Sequence, residues 1–185
     1  MPRARSAPVV RMVGGMKGTE VLADAFGRIH GVVHEAVEGL EPGQLDARID
    51  PGANSITWLV WHLTRIQDDH VADAARWEQV WHAQGWDERF GLPLPPGSTG
   101  YGHTAEQAGS VRVDSGALLL GYFDAVHAQT GRFLQGLSAA DLDRVVDERW
   151  DPPVTLGVRL VSVIGDDLQH AGQAAFVRGA LSRGR

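Results

Sequence analysis

Four stretches of this chain repeat apolar residues every three or four positions, and that periodicity restricts the chain to a helical fold. The first runs from about Thr19 to Leu40, with Leu22, Phe26, Ile29, Val33, Val37 and Leu40 as its stripe. The second starts at an Asn54 or Ser55 cap and reads on to His82, through Leu59, His62, Leu63, Ile66, Asp69 or His70, Asp73, Trp77 and Val80. The third spans about Ser115 to Leu137, with Leu118, Leu119, Tyr122, Phe123, Val126, Thr130, Phe133 and Leu137. The fourth, capped by Thr155 and ending near Gly179, carries Val163, Ile164, Leu168, Ala171, Ala174, Ala175 and Val177. Amphipathic helices bury their stripes against one another. The expectation is an all-α, up-down-up-down four-helix bundle with a long connection between helices two and three.

The breaks have readable causes. Gly39 and Pro42-Gly43 stop the first helix, and Asp50-Pro51-Gly52 is a turn. From Ala83 to Val113 the period dissolves into Gly- and Pro-rich chain, except for one helical turn capped by Thr104. A loop of about thirty residues is unusual inside a compact domain and is often functional. It is expected either to cross the mouth of the bundle and shape a pocket, with Trp86, Arg89, Tyr101 and His103, or to be a surface or dimerisation arm. Ser138-x-x-Asp141 starts a short helical turn, and Val145 to Trp150 reads as extended.

Composition narrows the function. The chain has 185 residues, enough for one domain with a real core. Residues 1–18 read as a basic N-terminal extension and 19–185 as the bundle, with Met16 as an alternative start. The extension lacks the apolar core of a signal peptide, and no stretch approaches eighteen apolar residues. The expected location is the cytoplasm, with no membrane partner. A net charge of −6 argues against nucleic acid, whose phosphates need a basic face. There is no cysteine, so disulfides, thiolate nucleophiles and Cys-ligated zinc are excluded. Any thiol chemistry must use a thiol that arrives as substrate. Sixteen arginines against the single Lys17 fit a GC-rich bacterial source.

Asp166 and His170 lie four residues apart on the fourth helix and point from one face. Such a pair suits either a divalent metal or an ordinary helix-surface contact, so a third ligand is needed to decide. His62 is the candidate, set among Leu59, Leu63 and Ile66 on the second stripe. A histidine in an apolar stripe is usually a core residue satisfied by one hydrogen bond. His30 and His34 form a rival pair on the first helix, read as a partly solvated helix edge because no motif signals a partner. Asp69 is either an acceptor that orients an imidazole or a solvated acid. His127 is read as a structural hydrogen-bonding residue, and Gln173 as a packing or supporting residue.

Two segments carry a family resemblance. Trp61-His62-Leu63-x-Arg65 with the acidic pair Asp68-Asp69, and Asp166-x-x-x-His170-x-Gly172-Gln173, resemble the signature helices of the DinB-like family. These are four-helix bundles related to mycothiol- and bacillithiol-dependent enzymes. The resemblance covers about Val21 to Arg178. It implies that His62, Asp166 and His170 bind one metal at the bundle mouth. Asp166 stands where most members have a histidine. The mycothiol-dependent maleylpyruvate isomerases, similar in this domain, have a carboxylate there.

Two imidazoles and a carboxylate leave positions open for water or substrate, the arrangement of catalytic zinc. Zinc is expected first, with nickel, iron, manganese or cobalt also accepted by these donors. The related enzymes imply thiolate activation, with mycothiol and an electrophile as partners. The isomerases carry a second domain after the bundle, where this sequence stops at Arg185. A thiol S-transferase or a hydrolase is therefore expected rather than an isomerase. The alternative is a non-catalytic, oligomeric ligand-binding bundle with a vestigial or absent metal site. Six tryptophans point to a homodimer, because large apolar patches mark interfaces.

Overall fold

A computed structural model describes residues 15–183; most of the expected N-terminal extension lies outside them. Four long helices form the body: α1 (Gly18–Val37), α3 (Ile56–Ala75), α7 (Gly116–Gln135) and α8 (Leu156–Arg183). Short helices α2 (Pro42–Leu45), α4 (Val80–Ala83), α5 (Trp86–Phe90) and α6 (Ala105–Ser110) occupy the connections. A 3₁₀ turn at Ala139–Asp143 leads into β1 (Val145–Asp147), which pairs antiparallel with β2 (Val154–Thr155) just before α8.

Side chains start the helices by capturing backbone N–H groups that have no partner within the helix. Ser55 Oγ accepts from Trp58 N at 3.1 Å, Thr104 Oγ1 from Gln107 N at 3.2 Å, and Ser115 Oγ from Leu118 N at 3.2 Å. The cap of α1 differs from the Thr19 expected. Lys17 precedes the helix, and its N–H donates to the Glu20 carboxylate at 2.9 Å. The second helix is shorter than its pattern predicts. Arg76 adopts left-handed φ/ψ and closes α3 at Ala75, so Val80 to His82 belong to a separate turn.

The stripes of the long helices meet in one core. Phe26, Ile29, Val33, Leu59, Leu63, Leu119, Phe123, Leu160 and Val163 are buried there. Burying each such side chain contributes about 1.5–3 kcal/mol. Trp58, Trp61, Trp81 and Trp86 are also buried, so the tryptophans chiefly build the interior rather than a surface patch.

The order of the helices departs from up-down-up-down. α1 packs on α7 and α8, and α3 packs on the same two, whereas α1 and α3 barely touch. α3 and α7 run in parallel. Arg65 and Gln67 of α3 donate to Tyr122 and Thr130 of α7, and Trp77 beyond α3 packs on Phe133. α1 and α8 are also parallel, since Gly18 and Gly157 at their starts both lie against Leu142 and Arg178 donates to the Glu38 carbonyl. The physical reason is the connection from 76 to 115. A tight turn forces antiparallel neighbours, whereas forty residues can travel back along the bundle and begin α7 beside the start of α3.

Candidate metal centre

The second and fourth long helices, α3 and α8, bring His62, Asp166 and His170 together. One donor atom from each lies within 4.8 Å of the others. His62 Nε2 is 4.0 Å from Asp166 Oδ2, and His170 Nε2 is 3.6 Å from Asp166 Oδ1. Two donors each about 2.1 Å from a tetrahedral ion stand about 3.4 Å apart, so small side-chain rotations would bring these atoms into range.

Both imidazoles are held by their other nitrogen. His62 Nδ1–H donates to the Thr99 carbonyl at 2.6 Å, and His170 Nδ1–H to Gln173 Oε1 at 2.9 Å. These acceptors select the tautomer that leaves each Nε2 lone pair directed at Asp166. Burial lowers the His62 pKa, with nearby His170 and His103 adding to the effect against the hydrogen bond to Thr99 and the charge of Asp166. A neutral imidazole is the ligating form. Asp166 Oδ2 is buried without a hydrogen-bond partner, an orphaned acceptor that a cation would satisfy. The residues present therefore fit a divalent ion.

The sequence around each ligand candidate explains its place. His62 is only 5% exposed because it shares a face with Leu59 and Leu63. Trp58, one turn earlier, stacks on its ring at 4.6 Å and meets His170 edge-on at 6.0 Å. Asp166 and His170 keep 33% and 18% of their side-chain surface, so the centre opens on the α8 side.

The long connection reaches this centre. Gly100 lies so close over His62 that a Cβ would stand 2.6 Å from Nδ1, and its φ is +94°. Only glycine meets both conditions without strain. His103 accepts from Trp58 Nε1–H at 3.2 Å, and its Nε2–H donates to Ser98 Oγ at 2.8 Å. The rest of the connection closes a cavity of about 250 Å³ against Trp61 and Trp81, with Leu92, Leu94 and Pro95 among its walls. None of the three ligand candidates lines that cavity. Of the other loop residues, Trp86 is core with Arg89 stacked on it, and Tyr101 is almost fully exposed.

The connection is anchored by a buried polar network. Asp68 accepts from the backbone of Val80 and Trp81 and from Tyr122 Oη, each at 2.8 Å. Arg65, fully buried, donates to Ser98 O at 3.1 Å and to Gln79 Oε1 at 2.8 Å. Asp69 does not orient His62; it accepts from Gln79 Nε2 and lies 3.2 Å from His70. The orienting acceptor is the Thr99 carbonyl, a backbone group with no signature in the residue types. His127 Nδ1 is buried without a hydrogen-bond partner. His30 and His34 also have the acidic partner that no motif signalled, Asp124.

No curated protein matches this chain. Among solved structures, it is similar to one described as the crystal structure of the conserved protein of locus from Enterococcus faecalis. The two share 34% identity at a TM-score of 0.83, over 89% of this chain and 96% of the other. The sequence model of the DinB superfamily matches residues 25–174, which include His62, Asp166 and His170. The chain belongs to the DinB superfamily.

Proposed function

We propose that the protein is a metal-dependent enzyme that transfers a low-molecular-weight thiol, mycothiol in the first instance, to an electrophile. The observation that carries this reading is the tautomer control at His62 and His170, whose Nδ1 atoms are occupied while both Nε2 atoms face one carboxylate. His62, Asp166 and His170 would hold the ion, with zinc first and nickel, iron, manganese or cobalt as alternatives. A divalent ion at these donors lowers the pKa of a thiol or of water, to roughly 7 for water on zinc.

The chain's own residues do the rest. Asp166 supplies the only negative charge among the three donors, so the site with a divalent ion bound would keep net positive charge for an anionic sulfur. Thr99 and Gln173 fix the imidazole planes. Trp58 walls the buried side, and the partly exposed edge formed by Asp166 and His170 is the route of entry. The chain has no cysteine, so the sulfur belongs to the substrate.

A homodimer in the cytoplasm is part of this reading. Val158, Val161, Leu168 and Phe176 form an exposed apolar stripe along α8, which supports self-association. Among the described residues no helix is long and apolar enough to cross a membrane.

The test combines metal analysis of protein purified without added metal with an assay of mycothiol consumption against an alkylating dye. The metal-loaded protein is expected to consume mycothiol, and His62→Ala to abolish this. Metal-loaded protein that neither binds nor consumes mycothiol would reject the thiol-transfer reading.

A further inference from the structure

A second set of ligating side chains lies on the opposite seam of the bundle, where α1 meets α7. His30 and His34 are one turn apart on α1, and Asp124 faces both from α7. Asp124 Oδ1 is 2.9 Å from His30 Nε2 and 2.8 Å from His34 Nε2. One donor atom from each of the three lies within 4.8 Å of the others. His34 Nδ1 meets Glu38 Oε1 at 2.8 Å. The His30 ring lies 4.3 Å from that of His34 and 4.5 Å from that of His127. His127 Nδ1 is buried without a hydrogen-bond partner.

We propose that His30, His34 and Asp124 form a second divalent transition-metal site, independent of the one on α3 and α8. A carboxylate oxygen only accepts, so each Nε2 facing Asp124 carries a hydrogen in the metal-free chain. One divalent ion can take the place of those hydrogens and bind both imidazoles and the carboxylate. Glu38 plays at His34 the part that Gln173 plays at His170, holding Nδ1–H so that Nε2 points inward. The side chains keep 34%, 23% and 46% of their surface, which leaves room for water to complete the coordination. Two imidazoles select zinc, nickel or cobalt over magnesium or calcium, which prefer all-oxygen ligands. No short connection joins α1 to α7, so an ion here would also fasten two helices distant in sequence.

Equilibrium dialysis against zinc in slight excess, followed by metal analysis, tests the site. The wild-type chain is expected to hold two ions. His34→Gln with Asp124→Asn should retain one, and so should His62→Ala with His170→Ala. Far-UV circular dichroism checks that each variant is folded, and cobalt absorption bands report each site separately. The proposal is overturned if the His62→Ala/His170→Ala chain binds no ion, or if His34→Gln/Asp124→Asn leaves the stoichiometry unchanged. Failure of the α3–α8 centre would appear differently, as one ion per wild-type chain that only His34→Gln/Asp124→Asn removes.

Discussion

The carbonyl of Thr99 stands 2.6 Å from Nδ1 of His62, which joins the connection between α3 and α7 to the candidate metal centre through one hydrogen bond. The segment that reverses the expected helix order thus also sets the tautomer of a ligand candidate. Loss of that contact should weaken metal binding without removing any donor.

Gly100→Ala tests this link. The new methyl would meet His62 Nδ1 at 2.6 Å on a backbone with φ of +94°. Strain of this kind costs about 1–3 kcal/mol. Displacing the group that orients a ligand typically lowers metal affinity about 10–100-fold. Thermal melts in chelator and calorimetric zinc titration should show both effects. Wild-type affinity in the variant would mean that Thr99 does not orient His62.

Asp166→Ala should sharply lower metal affinity at the α3–α8 centre and leave the fold nearly intact. Its Oδ2 has no hydrogen-bond partner to lose, and the side chain is one-third exposed. In chelator the melting temperature should change little, corresponding to about 0.5 kcal/mol or less. Asp166→His should still bind metal, with altered preference. Titrations are best made with His34→Gln and Asp124→Asn also present, so that only one centre responds. Unchanged affinity in the Ala variant would exclude Asp166 as a ligand.

Asp68→Ala should be the most damaging single change among these. It would strip the acceptor from Val80 N, Trp81 N and Tyr122 Oη and leave the buried Arg65 without its nearby carboxylate, now 3.7 Å away. Removing one partner of a buried charged pair costs about 3–5 kcal/mol. Denaturant unfolding should report this loss. A change below about 1 kcal/mol, the level of an exposed ion pair, would contradict the role given to the network.

The readable parts of this protein were the local ones. Ser55, Thr104 and Ser115 announce helix starts because a cap needs only a hydroxyl and the next turn. The end of α3 was hidden because Arg76, and not glycine, takes the left-handed conformation, while Trp77 and Val80 continue the apolar period. Helix order was hidden because periodicity gives each helix a buried face but no neighbour. At the candidate centre, the spacing of Asp166 and His170 and the setting of His62 were legible. Thr99 was not, since its contribution is a carbonyl. Asp124 is not legible beside His34 because ninety residues separate them and no motif links them.

Acid should weaken the junction between the hairpin and α8. Asp147 accepts from the backbone and guanidinium of Arg149 and from Arg159 Nη2 at 2.9 Å. The hydrogen bonds from Arg149, then the charges of both arginines, hold its carboxyl well below the usual range despite burial. A depressed carboxylate pKa stabilises the fold above its unfolded value of about 3.9, and that stability is lost as pH falls further. Asp147→Asn should melt below wild type at pH 7, and the gap should narrow progressively below about pH 4. A gap that stays constant across this range would show that the ion pairs do not contribute.

Anomalous diffraction from crystals grown with zinc tests the α3–α8 centre most directly. The expected result is a peak bonded to His62 Nε2, His170 Nε2 and an Asp166 oxygen, each at about 2.0–2.2 Å. Zinc in the crystal with no peak among these three residues, or a peak there that Asp166 does not touch, would contradict it.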